Sequence, residues 1–582
     1  MVYNSTEGTV TRMKINEVEK KTGLTKKAIR LYEDRGLITV HRGDNRYRDY
    51  SENDILILKK IKLLRAAGVS ITDIKLLFSG FLSLEEVIEK RQKEIDTESG
   101  RSSEQYRFCE TLVERISRGE DDTGAPFTER DEPLTRESGS FAVGIDIGTT
   151  TISAAVIDLE GHTQVEVFSI PHSSYVEDAI SSEQSVAVIV DKAQSLLELI
   201  CRSYRKITCI GVTGQMHGIL YLNREGRAVS ELINWQDKRA DFCMEDGMSA
   251  CQRIERLTGA RIMTGYGIAT HYYNLQKRLV PQDAVGFCSI MDYFVMRLCG
   301  MHAPITHASV AASFGLFDVR AGGFCFDRLA TLGIDKTFLP VVTGESKSVG
   351  TWQGIPVSVA IGDNQASFLG SVKNNRESIL VNIGTGSQIS AVADPTVIGD
   401  GIEVRPLING ETLVCGAALC GGAAYAMLER FFGAYASACG GGEAPQYTVM
   451  NRLAKAAYEG GETPLSVDTS FCGTRTDPQR RGSVKDIELH NLTPSSLILG
   501  VIHGMCDELY ALYRGIGERR LYAVASGGAV RRNETLRRVL ADKFQMQVSL
   551  STVKEEAATG AALFSAHTLG LIEYQNGFGD YV

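Results

Sequence analysis

Two short stretches pair a glycine turn with hydroxyl side chains: Asp146-Ile147-Gly148-Thr149-Thr150 and Asn382-Ile383-Gly384-Thr385-Gly386-Ser387. Backbone N–H groups in such turns approach an anion without Cβ interference, so each is a candidate phosphate cradle. The first carries a carboxylate, Asp146, where the second carries Asn382. A carboxylate there suits Mg²⁺, bound directly or through water. A third candidate is Asp363, after the β-rich run 357–361, where it can accept a proton from a hydroxyl or simply cap a helix. Phosphate cradles, a metal carboxylate and a base are together the requirements of phosphoryl transfer.

Further segments offer partners for a polyhydroxylated ligand. Gln215, Met216 and His217 supply an amide, a thioether and an imidazole; Trp235 and Asp237 supply a ring and a carboxylate; Asn364 adds an amide beside Asp363. Near the C-terminus, Gly527-Gly528-Ala529 follows a strand-like run and leads to Asn533. A Gly-Gly turn entering a helix accepts a flat base and ribose against bare backbone.

The elements that must hold these groups follow from the pattern. From Phe141 onward, short β-rich runs alternate with helical segments, an α/β arrangement. Residues 145–158 and 381–394 align with one another, each reading strand, Gly-Thr turn, strand. Two copies of one hairpin imply two related lobes that bring a turn each to a shared cleft.

The first 140 residues differ. Net charge is −9 over 582 residues, but residues 1–80 hold 16 Lys+Arg against 10 Asp+Glu, and residues 81–140 hold 9 against 16. A basic head on an acidic body points to a local nucleic-acid site. Residues 13–80 read as four helices, the second (26–35) capped by Thr25 and ended by Gly36. Lys26, Lys27 and Arg30 lie on or near one face of that helix, Tyr32 is on it, and Arg42, Arg46, Tyr47 and Arg48 would form a wing beside it. Residues 81–118 read as a helical pair broken at 97–103, either a dimerisation arm or a linker, and 119–140 as a flexible tether.

The thirteen cysteines show no C-x-x-C spacing and residues 1–10 lack an apolar core, so reduced thiols in a cytoplasmic protein are expected. Residues 412–428 are uncharged but broken by Gly416, Gly421 and Gly422, which favours a buried turn and helix over a membrane span.

Two resemblances sharpen this. The run from Ala28 to Ile38, then Arg46-Tyr47-Arg48-Asp49-Tyr50 and Leu64-Arg65-Ala66-Ala67-Gly68-Val69-Ser70, resembles the MerR family signature over residues 14–78. That implies a winged helix-turn-helix, a homodimer and a two-fold symmetric double-stranded promoter site. No cysteine pair follows the arm, which argues against metal sensing.

Residues 141–571 resemble the FGGY carbohydrate kinases. Asp146–Thr150 looks like their first phosphate motif (Gly148, Thr149, Thr150) and Gly384–Ser387 their second (Gly384, Thr385, Gly386, Ser387). Ser526–Asn533 looks like their adenosine motif, and Asp363 matches their catalytic aspartate. Gly214–Gly218, Trp235–Asp237 and Thr264–Thr270 look most like sedoheptulokinase; xylulokinases share the Gln-Met-His element. The resemblance implies two actin-like, ribonuclease-H-type lobes, at 141–370 and 371–575, closing over ATP, Mg²⁺ and a ketose. A sugar-sensing regulator that uses the kinase body as its ligand detector is the alternative.

Overall fold

The computed structural model describes residues 13–42, 48–98, 109, 139–177, 179–395, 399, 401–440, 445–474, 477 and 479–582. Arg46, Tyr47, the tether at 119–138 and, apart from Cys109, the second arm helix lie outside the described residues. The chain divides into two units, a head and a body.

In the head, polar caps set the helix starts. Helix α1 (Ile15–Thr22) ends at Gly23, whose left-handed backbone lets its N–H reach Glu19 O. Helix α2 (Lys26–Asp34) starts at Thr25, which accepts from Ala28 N–H. Strands β1 (His41–Arg42) and β2 (Arg48–Asp49) pair antiparallel as a small wing. Ser51 and Asp54 form a reciprocal cap on α3 (Glu52–Ala66), and Ser70 caps α4 (Ile71–Phe78). Ile29, Leu58, Ile61 and Ile74 are fully buried and make the core. Helix α5 (Leu84–Glu98) buries Val87, Ile88 and Ile95, the apolar positions with helical spacing.

The body contains two six-stranded sheets. The first has β3 (Phe141–Ile147), β4 (Thr151–Asp158), β5 (Thr163–Pro171), β6 (Ile207–Gly214), β7 (Ser348–Trp352) and β8 (Ile355–Ser358), in the order β7-β8-β6-β3-β4-β5. The second has β9 (Ser378–Ile383), β10 (Ser387–Val392), β11 (Ile402–Pro406), β12 (Thr412–Ala418), β13 (Tyr522–Ser526) and β14 (Gln547–Leu550), in the order β11-β12-β10-β9-β13-β14. Each contains the same plan: an antiparallel meander starting at the Gly-Thr hairpin (β3-β4-β5, β9-β10-β12), with two parallel strands on the other side of its first strand (β6 and β8, β13 and β14). The internal echo is thus a repeated lobe.

Helices α6 (Asp363–Leu369), α7 (Gly422–Ala438), α8 (Pro494–Arg514), α9 (Gly528–Arg532), α10 (Glu534–Phe544) and α11 (Glu556–Thr568) position the rest of the site. Helix α8 buries Ile498, Leu499, Ile502 and Leu509 in the core of the second lobe. The uncharged run 412–428 is strand β12 followed by the start of α7. Among the described residues no helix is long and apolar enough to cross a membrane.

Helix α11 lies on the first sheet and on α6 at backbone contact. A Cβ on Gly144 would stand 1.8 Å from Ala558 O, one on Gly211 1.9 Å from Ala561 O, and one on Gly560 1.8 Å from Ala366 O. No side chain fits between these surfaces. We therefore expect Gly211→Ala to destabilise the body by at least about 3 kcal/mol, beyond ordinary overpacking because backbone must move. Gly344→Ala, where nothing lies within 4 Å, should leave thermal unfolding essentially unchanged; equal melting temperatures for the two variants would refute this packing account.

Candidate active site and nucleic-acid interface

Strand β3 ends at Asp146 and Ile147, and the chain turns at Gly148. The carbonyls of this turn are held from behind. Gly148 O accepts from His172 Nε2 (3.1 Å) and more weakly from Gln215 Nε2 (3.4 Å), Thr149 O from Gln184 Nε2 (2.7 Å), and Thr150 O from His172 N (3.2 Å). His172 accepts at Nδ1 from Ser174 (2.7 Å), and burial, its largest influence, lowers its pKa, so it stays neutral in this role. With each carbonyl turned into protein, the Thr149 and Thr150 amides face the other way. Neither amide has a hydrogen-bond acceptor among the described residues.

The second turn repeats the device with backbone donors. Gly422 N donates to Gly384 O (2.8 Å) and Ala423 N to Thr385 O (3.0 Å). The approach requires bare backbone: a Cβ on Gly421 would lie 2.4 Å from Gly386 O, and one on Gly422 2.5 Å from Gly384 O. A Cβ on Gly527, at φ +91°, would lie 2.5 Å from Ile383 O, and one on Gly422 3.5 Å from Ala529 Cβ, so the Gly527-Gly528 turn adjoins the same loop. Asn533 caps α10 through Leu536 N–H (2.9 Å) and donates to Asn451 (3.2 Å). Two phosphate-type loops, each with its carbonyls tied back, flank the ends of β3 and β9.

Between the lobes stand the carboxylates. Asp363 opens α6, its Oδ1 accepting from Asn364 N–H (2.6 Å). Ser309 holds the preceding peptide by accepting from Gly362 N–H (3.1 Å), and Gln365 donates to Pro406 O (3.0 Å) on the second lobe. Burial pushes Asp363 up to about 6, moderated by Arg405 and the Asn364 amide. Asp146 goes further, to about 8, through burial first and then repulsion from Asp363 and Glu555. Carboxylates that repel one another across a partly buried gap favour a cation between them. Among the described residues no cluster of three or more metal-ligating side chains is present; Mg²⁺ takes one or two carboxylates and completes its shell with phosphate and water.

The polyol candidates group in the first lobe. Gln215 is buried, its Nε2 donating to Gln184 (2.9 Å) and its Oε1 without a partner among the described residues. Met216 packs on Gly362, next to Asp363. His217, at φ +73°, donates from Nδ1 to Ser313 O (2.8 Å) and stacks on Tyr266 with ring centroids 4.3 Å apart. Trp235 is 45% exposed and donates to Thr149 Oγ1 (2.9 Å), linking this group to the first turn. Asp237 is placed differently from the open carboxylate expected: it is fully buried and binds Arg239 and Ser182 N–H, so it orders the loop from behind. Asn364 is half-buried beside Asp363.

In the head, Lys26, Lys27 and Arg30 are exposed along α2, with Lys26 within 3.8 Å of Glu19. Tyr32 is 7% exposed and belongs to the core, not to an outer face. Arg48 grips Glu33 through Nε, at 2.8 and 2.6 Å to the two carboxylate oxygens, which fastens the wing to α2 and occupies a group expected to face phosphate. Arg42 lies on the wing strand.

Sequence reasoning missed several contributors. Gly421-Gly422 carried a signal, a Gly-Gly step between strand and helix like Gly527-Gly528, but read only as a break in an apolar run. His172, Gln184, Glu555 and Arg405 carried none; only the fold brings them to the turns and carboxylates.

Two ribonuclease-H-type lobes with paired glycine turns define an actin-like ATPase fold, joined here to a helix-turn-helix head. Residues 141–370 match the FGGY family of carbohydrate kinases, N-terminal domain, residues 399–569 match its C-terminal domain, and residues 13–80 match the MerR HTH family regulatory protein. The chain belongs to the FGGY family of carbohydrate kinases, a sugar kinase fused to a MerR-type helix-turn-helix domain. It is 28% identical to the sedoheptulokinase of Homo sapiens, over 73% of this chain and 96% of that protein, and 23% identical to a xylulose kinase of Staphylococcus xylosus, over 73% and 90%. The fold is shared with a gluconate kinase from Lactobacillus acidophilus (TM-score 0.66, 19% identity, covering 76% of this chain and 92% of that one). It is also shared with a Plasmodium falciparum glycerol kinase solved with ADP (TM-score 0.62, 16% identity, 75% and 91%).

The raised carboxyl at 146 generates a stability test. The folded chain holds that proton at pH values where the unfolded chain, with an ordinary carboxyl near 3.8, has released it. Stability is therefore lost as pH rises from about 4 towards about 8. Without divalent cation at pH 8, Asp146→Asn should raise the melting temperature by about 2–4 °C per kcal/mol recovered, and the gain should vanish below pH 4. A variant less stable than the parent at pH 8 would contradict the electrostatic account.

Proposed function

We propose that the body transfers the γ-phosphoryl group of ATP to a primary hydroxyl of a ketose of the sedoheptulose or xylulose type. The observation that carries this reading is the pair of turns whose carbonyls are tied into protein while the first turn's amides face away from it, together with the Asp146 and Asp363 carboxyls, close enough to feel each other's charge. Amides without protein acceptors suit phosphate oxygens. In this reading Gly148, Thr149, Thr150 and Gly384–Ser387 cradle the phosphates, and Gly527, Gly528, Ala529 and Asn533 line the adenosine end. Asp146 would hold Mg²⁺, which when bound with the triphosphate supplies charge neutralisation at the transferring group. Asp363 orients the sugar hydroxyl and takes its proton. Its elevated pKa keeps it ionised at neutral pH yet basic enough to do so. Gln215 Oε1, His217 and Trp235 receive the sugar's other hydroxyls and its carbon face. The sedoheptulose reading draws support from the identity to the human sedoheptulokinase.

Full-length protein with ATP, Mg²⁺ and a ketose panel should release ADP in a sugar-dependent manner. Asp363→Asn should lower kcat by roughly 10²–10⁴ while a sugar-induced thermal shift persists. Activity of the parent should fall as pH drops below about 6, as the base becomes protonated. Folded protein that forms no sugar-stimulated ADP would end this proposal.

The head is proposed to bind a two-fold symmetric double-stranded promoter site as a homodimer, a reading supported by its MerR-type domain and the exposed cations of α2. Phosphate contact through α2 makes affinity fall with salt by ~0.9 log units per neutralised phosphate. Arg30→Ala should reduce that slope by about one contact. Arg48→Ala should instead lower head stability, because it frees Glu33. An unaltered slope for Arg30→Ala would remove α2 from the interface.

A further inference from the structure

The peptide between Ile361 and Gly362 leads directly into Asp363 and sets where its side chain points. Gly362 is the N-cap of α6 but has no side chain with which to cap it, and glycine backbone rotates more freely than any other. Groups from elsewhere in the first lobe clamp that peptide at both ends. Thr213 Oγ1, on β6, donates to Ile361 O (2.7 Å), and Ser309 Oγ accepts from Gly362 N–H (3.1 Å). Thr213 and Ser309 are fully buried, so water offers neither end a substitute partner.

Ser309 serves Gly362 as an acceptor only while its own proton lies elsewhere, and His307 decides where. His307 caps the one-turn helix Ala308–Ala311. Ser309 N–H donates to His307 Nδ1 (3.2 Å), so that nitrogen carries no proton. The Ser309 hydroxyl, 2.7 Å from the same nitrogen, therefore donates to it and turns its lone pairs to Gly362. A serine cap at 307 could donate as readily as accept and would leave the Ser309 proton undecided; a neutral imidazole Nδ1 can only accept. Burial holds the His307 pKa down to about 4, which keeps the ring neutral at neutral pH. Its proton is then on Nε2, which is buried and has no hydrogen-bond partner among the described residues. That orphan donor costs stability that a serine or asparagine cap would not. Phe564 of α11 stands T-shaped against the ring, with centroids 5.8 Å apart.

We propose that His307 and Ser309 are positioning residues for Asp363: the imidazole fixes the Ser309 hydroxyl, the hydroxyl fixes the Gly362 peptide, and that peptide sets the carboxylate against the acceptor hydroxyl. This rests on the reading of Asp363 as the base. Neither residue touches substrate in this arrangement, so the effect falls on turnover and not on binding. A base displaced by about 1 Å loses up to 10²-fold in rate.

Full-length Ser309→Ala should keep its KM for ATP and ketose within about twofold and lose roughly ten- to a hundredfold in kcat. Ser309→Thr, which retains the acceptor, should recover most of that loss. His307→Leu should lower kcat alone, and should cost nothing more when added to Ser309→Ala, because both act through one peptide. On the Asp363→Asn background Ser309→Ala should lower kcat no further. In hydrogen–deuterium exchange the peptide containing Gly362 should lose protection in Ser309→Ala and keep it in Ser309→Thr. Unchanged kcat in Ser309→Ala, an equal further loss on the Asp363→Asn background, or unchanged exchange at Gly362 overturns the proposal and leaves the kinase reading standing. No turnover by the parent, or parent-like kcat in Asp363→Asn, instead removes the base reading and the proposal with it. Should Ser309→Ala fail to fold, His307→Leu carries the same kcat, background and exchange tests.

Discussion

Helix α11 meets strands β3 and β6 and helix α6 with bare backbone on both sides of each contact. Ala558, Ala561 and Gly560 present carbonyls or Cα atoms to Gly144, Gly211 and Ala366, and no side chain intervenes. The two carboxylates of the proposed site are both measured from this contact. Asp146 lies two residues beyond Gly144 on the same strand, and Asp363 opens the helix that crosses α11 at Ala366. Close packing of this kind leaves little room for rotamer adjustment, so the separation of the two carboxylates is fixed by main chain. Because Glu555 precedes α11, the same helix also sets the second negative charge that Asp146 feels.

The carboxylates are balanced by preorganised dipoles. In each lobe the carbonyls of the Gly-Thr turn are drawn away by donors, from side chains in one lobe and from a helix start in the other. Turn amides arranged beforehand need no reorganisation when an anion arrives. The two lobes reach one result by different routes, as expected of a duplicated unit whose copies diverged after the backbone plan was set. The Asp146/Asn382 difference belongs to the same divergence: an acid in both positions would add a further repulsive charge to a centre that already raises Asp146 to about 8.

Much of this was legible in the residues. The hairpin echo revealed the repeated lobe because strand-turn-strand is a local pattern, and the Gly-Thr and Gly-Gly turns announced themselves through composition. The helix start at Thr25 was readable because a cap is a contact between residues three apart; Ser51 and Ser70 cap the next two helices by the same contact. The side chains that tie the turns back were not: His172, Gln184 and Arg405 are polar residues whose partners are set only by tertiary packing. For the same reason the burial of Tyr32 and Asp237 and the pairing of Arg48 with Glu33 were not readable. Position on an element gives residue type and phase, but a nearby acid, Glu33 for Arg48, or a nearby base, Arg239 for Asp237, decides whether a charge looks outward.

The place of α11 in the chain also bears on how the protein is made. Strand β3 is among the first parts of the body to leave the ribosome, yet its cover is residues 556–568, about 400 residues later. Until that last helix emerges, the glycine-lined face of the first sheet lacks its partner, and at ~5–20 residues per second that interval lasts tens of seconds. The head unit, residues 1–139 with 196–206, has emerged long before. A nascent chain therefore carries a finished helix-turn-helix while its kinase is still unclosed, and a truncation between residues 207 and 556 would leave a folded head attached to a sticky, half-built body.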